Sequence, residues 1–291
     1  MKCSTIGINL PVDTRIERLD EVLQRYEENG FDAVEITLSG FPLILAGKIQ
    51  PQVIEYLKPV LERHQLIYSA HVGLAMDLRN LEGMERQREV MFACIDVCAE
   101  LGLNPVNFHY EEQTRSTARE QAYEQNIRDA ADYAAERGIR INVENIETER
   151  IEPVLAFLKK LNHPNVGMTL DLGHLWLSSQ YFGYDFMQAV RDCAPLVRHV
   201  HVNDNSGDFE PMRITNYMMY NTLDLGGRFE YGRGDIHIPP FWGNAPLKEA
   251  FAELCGAGFD GIWLLEYYND RFVPWNAQIQ ERVRTEIEKN G

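Results

Sequence analysis

The sequence has no apolar stretch approaching the ~20 residues that a membrane-spanning helix needs, so no membrane partner is expected. Its opening, Met1-Lys2-Cys3-Ser4-Thr5-Ile6, lacks an apolar signal-peptide core and runs straight into a strand pattern, which predicts a cytoplasmic protein. Cysteine is sparse. Cys3, Cys94, Cys98, Cys193 and Cys255 are odd in number and match no zinc spacing. Cys94 and Cys98, four residues apart on a predicted helix, are expected to be reduced packing residues. Basic clusters are also missing. Lys and Arg total 28 against 44 Asp and Glu, a formal charge of −16 that repels phosphate backbones at long range, so no nucleic-acid partner is expected. No glycine-rich phosphate loop follows the first strand pattern. Asn9-Leu10-Pro11-Val12-Asp13 stands there instead, which argues against an open doubly wound sheet. No linker and no low-complexity segment interrupts the chain, so residues 1–291 are read as one domain.

What is present is a regular alternation. With 45% apolar and 25% charged residues, the chain can bury an ordinary core. Strands are predicted at Thr5–Leu10, Ala33–Leu38, Ile67–Val72, Val106–His109, Arg140–Glu144, Val166–Asp171, Val197–Val202 and Gly261–Glu266. Between and after them, helices are predicted at about Ile16–Glu28, Pro51–His64, Met84–Leu101, Ala118–Arg137, Pro153–Leu161, Asp185–Cys193, Leu247–Leu254 and Asn276–Lys289. Gly173 is read as a turn leading to a short segment before the sixth helix. Eight strands and eight helices in strict alternation, joined by right-handed crossovers, predict an α/β fold: a closed (β/α)8 TIM barrel. One connection, about residues 205–245, is too long for an ordinary barrel loop.

In such a barrel the C-terminal ends of the strands build the active site. Glu35, His71, His109, Glu144, Asp171, His201 and Glu266 all fall near those ends. In Val197-Arg-His199-Val-His201-Val-Asn203-Asp204 the two histidines are two residues apart and leave the same strand face. A crowd of carboxylates there would repel itself and be costly to desolvate without a cation. Glu144, Asp171, His201 and Glu266 together offer three carboxylates and an imidazole from four strands. Mixed oxygen and nitrogen ligation suits one divalent metal ion, with Mn²⁺ the first choice and Co²⁺, Mg²⁺ or Zn²⁺ also admitted. His199, one pleat deeper, is read as a brace for His201.

Glu144-Asn145, Thr169-Leu-Asp171-Leu-Gly-His174, His199-Val-His201-Val-Asn-Asp204, Gly232-Arg-Gly234-Asp235-Ile236 and Leu265-Glu266, taken in order, resemble the xylose isomerase-like TIM-barrel superfamily. That superfamily holds sugar and sugar-phosphate isomerases and epimerases, related dehydratases, and the type 2 apurinic endonucleases of DNA repair. The resemblance implies that Glu144, Asp171, His201 and Glu266 bind one metal and that His174 contacts substrate. The DNA-repair branch uses three zinc ions, and His71, His109 and His174 match several of their ligands. That branch also carries an Asp-Arg-His triplet shortly before its Gly-x-Gly loop. The corresponding place here reads Gly226-Gly227-Arg228, so two zinc ligands are expected to be missing and phosphodiester cleavage is the lesser reading.

The residues therefore predict a metal-dependent sugar isomerase or epimerase acting on a small carbohydrate. Glu144 and Glu266 would move protons next to a carbonyl through a metal-stabilised enediolate. A lyase that dehydrates a keto-inositol or dehydroshikimate, or cleaves a keto-glycoside, is the alternative. A binding barrel without turnover is disfavoured by the intact Glu144 and Glu266. His71, His109, His174, Glu35 at the rim and Arg233 are expected to contact substrate. Arg213 and Arg228 are further candidates for an anionic substrate group. Trp263 and Tyr267-Tyr268 are read as barrel packing rather than sugar platforms. The 205–245 connection is either a lid or a subunit contact, and a homo-oligomer is left open.

Overall fold

A computed structural model describes residues 5–73 and 75–290. Met1–Ser4, including Cys3, therefore lie outside the described residues. Eight parallel strands close into a barrel: β1 (Thr5–Asn9), β2 (Ala33–Thr37), β3 (Ile67–His71), β4 (Val106–His109), β5 (Ile141–Glu144), β6 (Val166–Asp171), β7 (Val197–Val202) and β8 (Ile262–Leu265). Closure is made by β1, which pairs with β8 through Gly7↔Leu264 and with β2 through Asn9↔Glu35. The expected (β/α)8 barrel is thus the observed fold, and strand ends differ from expectation by at most a residue.

Alternation along each strand sorts the side chains into two environments. Outward residues Ile6, Ile8, Val34, Ile141, Val143, Leu170, Val200 and Trp263 are completely buried beneath the helices. The inward set is different. Barrels of this kind are usually filled by branched apolar residues, but here Ser69, Asn107, Asn142, Thr169 and His199 occupy the middle, all nearly or wholly buried. Leu264 plugs the floor, where a Cβ on Gly7 would lie 2.8 Å from its Cδ1. The polar interior therefore begins well below the mouth.

The surrounding helices are α1 (Leu19–Glu28), α2 (Pro51–Leu61), α3 (Met84–Leu101), α4 (Thr117–Ala135), α5 (Ile151–Leu161), α6 (Leu172–Phe182), α7 (Phe186–Cys193), α8 (Met212–Thr215), α9 (Tyr217–Tyr220), α10 (Leu225–Tyr231), α11 (Leu247–Gly256) and α12 (Asn276–Glu288). Cys94 and Cys98 are buried free thiols on α3. Three features go beyond the sequence expectation. A small hairpin pairs Ile44–Leu45 with Lys48–Ile49. The segment after β6 is a full helix, α6, not a turn, because Asp171 caps it by accepting from His174 N at 2.6 Å. Gly173 sits inside that first turn because a Cβ there would lie 1.7 Å from Asn203 Oδ1.

The long connection after β7 carries α8, α9 and α10. Its two ends are tied together at Asp204. The Asp204 carboxylate accepts from the backbone N–H groups of Asn205, Gly243 and Ala245 at 2.8–3.0 Å. Its own backbone pairs with Ile238 in both directions at 3.0 Å. Among the described residues no helix is long and apolar enough to cross a membrane.

Trp263 packs edge-on against Phe251 of α11 and Phe259, with both ring centroids 5.0 Å away. Trp263→Ala should destabilise the fold by about 3–5 kcal/mol. Urea unfolding checks this; a loss under about 1 kcal/mol would mean that this face of the barrel is not core.

Candidate active site at the strand C-termini

Four strand ends bring Glu144, Asp171, His201 and Glu266 together. One donor atom from each lies within 4.8 Å of all the others. His201 Nδ1 is the hub, 3.2 Å from Glu144 Oε1, 3.0 Å from Glu266 Oε2 and 3.9 Å from Asp171 Oδ2. Each donor is braced. Asn203 Nδ2 donates to Asp171 Oδ2 at 2.9 Å. Asn145 Nδ2 donates to the Asp171 carbonyl at 3.0 Å, and Asp171 N donates back to Asn145 Oδ1 at 2.9 Å. His71 Nε2 lies 3.1 Å from Glu144 Oε2 while its Nδ1 faces the Val72 carbonyl at 2.9 Å.

Glu35 is not at the rim, contrary to the expectation from sequence. It is 2% exposed and sits one pleat below the mouth, because Thr37 is the β2 residue that reaches the cavity. There it accepts from Ser69 Oγ at 2.9 Å and from Asn107 Nδ2 at 2.5 Å. His201 Nε2 lies 3.0 Å from Glu35 Oε1, close enough for charge attraction but outside hydrogen-bond alignment. His199 Nε2 is 3.3 Å from Glu35 Oε2, again without alignment. Glu35 thus supports His201 from beneath, and with His71, His201 and Glu266 it also offers one of four donor atoms within 4.8 Å of one another.

Three further groups adjoin the first. Glu35, His71, His201 and Glu266 form one, His71, His109 and Glu144 another, and His174, Asp235 and His237 the third. Asp235 and His237 were missed in the sequence, where the acidic and histidine ligands were sought before Gly232. They lie just after Gly234, and their signal was the i, i+2 spacing already noted in His199 and His201. Asp235 Oδ2 is 3.0 Å from His237 Nε2 and 3.5 Å from His174 Nε2. His237 Nδ1 donates to the Glu266 carbonyl at 2.7 Å, and His174 Nδ1 to the Asn145 carbonyl at 3.0 Å.

Burial opposes every charge here, and at Glu144 and Glu266 the neighbouring imidazoles outweigh it. Burial pulls the Glu144 carboxyl up, but the His201 charge and hydrogen bonds from His201 and His71 hold it well below the usual range. The same contest leaves Glu266 at about 2, with His201 again the main counterweight. Burial pulls His201 down, yet Glu144, Glu266 and Glu35 hold it well above an ordinary histidine. His71 is pushed up to about 9 against its burial, through Glu144. His109 goes the other way, to about 3, because burial and the neighbouring His71 charge act together. At Asp171 burial wins instead and pushes the carboxyl up to about 7.

A divalent cation fits the same place. The donor set is three carboxylates and one imidazole, which is mixed hard and borderline ligation. Among the described residues, Glu266 Oε2 is buried without a hydrogen-bond partner, a costly state that a bound cation relieves.

Above the donors opens a cavity of about 770 Å³. His71, His109, His174, Asp235, His237 and Glu266 line its inner end. Arg233 is not part of it. Its guanidinium is half exposed and faces Asp208 at 3.8 Å and Glu210 at 3.6 Å, outside the cavity. Arg228 is held by Tyr220 Oη and the Asp235 carbonyl. The cavity's arginines are Arg213 and Arg271, and Arg213 is paired with Glu147 at 2.6 Å. The 205–245 connection contributes Arg213, Leu225, Asp235 and His237 to the wall, so it covers the mouth of the barrel.

The sequence profile of the family described as xylose isomerase-like TIM barrel matches residues 23–287, and the chain belongs to that family. A protein of Methanocaldococcus jannaschii described as uncharacterised is 24% identical over 279 residues, spanning 90% of this chain and 84% of that protein. A ketose 3-epimerase of Arthrobacter globiformis is 28% identical over 202 residues, 63% of this chain and 65% of the epimerase. Among solved structures, a xylose isomerase-like TIM barrel protein from Mycobacterium smegmatis, in complex with magnesium, superposes with a TM-score of 0.73 at 18% identity, covering 99% of this chain and 97% of that one.

Asn203→Ala removes the side chain that steadies Asp171, and should weaken divalent-metal binding by about 10–100-fold. Calorimetric titration with Mn²⁺ reads this directly, with circular dichroism confirming the fold. Unchanged affinity would separate Asp171 from the metal set.

Proposed function

We propose that this protein is a divalent-metal-dependent epimerase or isomerase of a ketose. The observation that carries the reading is that Glu144, at the end of β5, and Glu266, just after β8, converge on one imidazole nitrogen at the inner end of the cavity. Glu144, Asp171, His201 and Glu266 would hold the cation. A divalent ion there supplies Lewis acidity, lowering the cost of negative charge on a carbonyl and its neighbouring hydroxyl. The similarity to a ketose 3-epimerase supports the same class of substrate.

The chain's own groups then divide the work. Glu266 lines the cavity with its side chain 19% exposed, so it can reach a sugar C–H directly. Glu144 is fully buried, and His71 fixes the orientation of its Oε2. One carboxylate removes the proton beside the carbonyl, and a carboxyl group returns a proton to the resulting enediolate. Return to the opposite face of the same carbon gives the epimer; return to the neighbouring carbon gives the isomer. His174 and His237 stand where hydroxyl groups of the sugar would lie. The wall also speaks to substrate charge. Asp13, Glu111, Glu147, Asp235, Glu266 and Asp270 line it, against Arg213 and Arg271, and Arg213 is already paired with Glu147. That balance favours a neutral, unphosphorylated sugar.

A second reading has its own observation. Two of the additional groups, His71–His109–Glu144 and His174–Asp235–His237, offer ligands for more than one cation. Clustered cations suit hydrolysis of a phosphate ester, since they neutralise the attacking and leaving oxygens together.

Two experiments decide. Incubation of a ketose panel in D₂O with Mn²⁺ should place deuterium in recovered sugar. Glu144→Gln and Glu266→Gln should each slow that exchange by about 10²–10⁴-fold, and an active double variant would sink their assigned roles. Elemental analysis of the purified protein, alongside a phosphodiester cleavage assay, tests the other reading. One cation per chain and no cleavage is expected; three cations with cleavage and no deuterium exchange would replace the first proposal.

A further inference from the structure

The cavity is much larger than the chemistry at its inner end requires. Its volume of about 770 Å³ falls in the upper part of the roughly 300–1,000 Å³ range of pockets that enclose drug-sized ligands. It is several times the bulk of one hexose, and Glu266 and the histidines occupy one end alone. The outer end is walled by two separate pieces of chain. Tyr268 and Arg271 come from the segment after β8, and Leu225 opens α10.

Tyr268 is held in place, not loosely draped. Its backbone N–H donates to the His237 carbonyl at 3.2 Å. Its ring meets Phe229 of α10 at a centroid distance of 5.7 Å and 70°, and His237 at 6.3 Å and 70°. Arg271 places its guanidinium carbon 5.6 Å from the centre of the Phe229 ring, and among the described residues it makes no ion pair with a carboxylate. Asp13 and Asp270 complete this end with hydrogen-bond acceptors. A fixed aromatic ring beside free donors and acceptors is what a pyranose ring calls for. Its C–H face packs on the aromatic ring and its hydroxyls bond at the rim.

We propose that the outer half of the cavity is a second sugar subsite, formed by Tyr268, Arg271 and Leu225, so that the substrate is a neutral ketose carrying a glycosidically linked second ring. This rests on the enolising role of the inner site but draws on different residues. Tyr268, read from sequence as packing, is a specificity determinant. Binding energy from the distal ring is available to orient the ketose over Glu144 and Glu266.

The test compares fructose with the fructose-containing disaccharides turanose and isomaltulose, using the intact protein loaded with Mn²⁺. Deuterium exchange gives kcat/KM, and calorimetry gives affinity independently of turnover. At least one disaccharide should exceed fructose about tenfold in both. Tyr268→Ala and Arg271→Ala should each cut that preference several-fold, and Tyr268→Phe, which keeps the ring, should retain it. Tighter disaccharide binding without any exchange would support the outer subsite while overturning the enolising reading. Equal or weaker binding of both disaccharides relative to fructose overturns the subsite, whatever the exchange assay shows. So does a preference that survives Tyr268→Ala and Arg271→Ala unchanged.

Discussion

Four carboxylates, Glu35, Glu144, Asp171 and Glu266, share the interior of one barrel around His201, and among the described residues none has an arginine or lysine partner. Like charges at this depth are tolerated when something positive stands between them. Much of the molecule follows from that. The barrel interior gives up its usual branched filling for Ser69, Asn107, Asn142 and Thr169, which bond one another and Glu35. The ladder of polar groups carries orientation from the floor to His201. It also fixes the imidazole so that one nitrogen faces the carboxylate set and the other faces Glu35.

Strand ends act as a mounting plate for these groups. Asn145 and Asn203, each one or two residues past a donor, hold Asp171 from two sides. Gly173 leaves the space that Asn203 needs. Asp171 itself also caps α6, so the donor and the start of that helix are fixed together.

Much of this was legible in the sequence, because strand periodicity reports which residues point inward and barrel topology reports where strand ends meet. Glu144, Asp171, His201 and Glu266 could be grouped on that basis before any coordinates. Depth was harder. Glu35 and Thr37 share a face of β2, and alternation alone does not say which of the two reaches the rim. Asp235 and His237 lie in irregular backbone after a long excursion, where no period marks inward and outward positions. Arg233 looked suitable by chemistry, but the turn at Gly232 and Gly234 aims it at Asp208 and Glu210. The helix after β6 was masked by Gly173, whose role is space rather than a bend.

The knot at Asp204 ties the two ends of the excursion to the end of β7. Backbone entering and leaving the excursion is clamped at one carboxylate, next to the end of β7. Between residues 208 and 231 the span still reaches the site through Arg213, paired with Glu147, through Arg228, bonded to the Asp235 carbonyl, and through Phe229 against Tyr268, so its length and composition are free to drift around those three anchors. Transplanting that span between members of the family, with those anchors kept, offers a way to exchange the outer wall like a cartridge, with the reacting centre left in place.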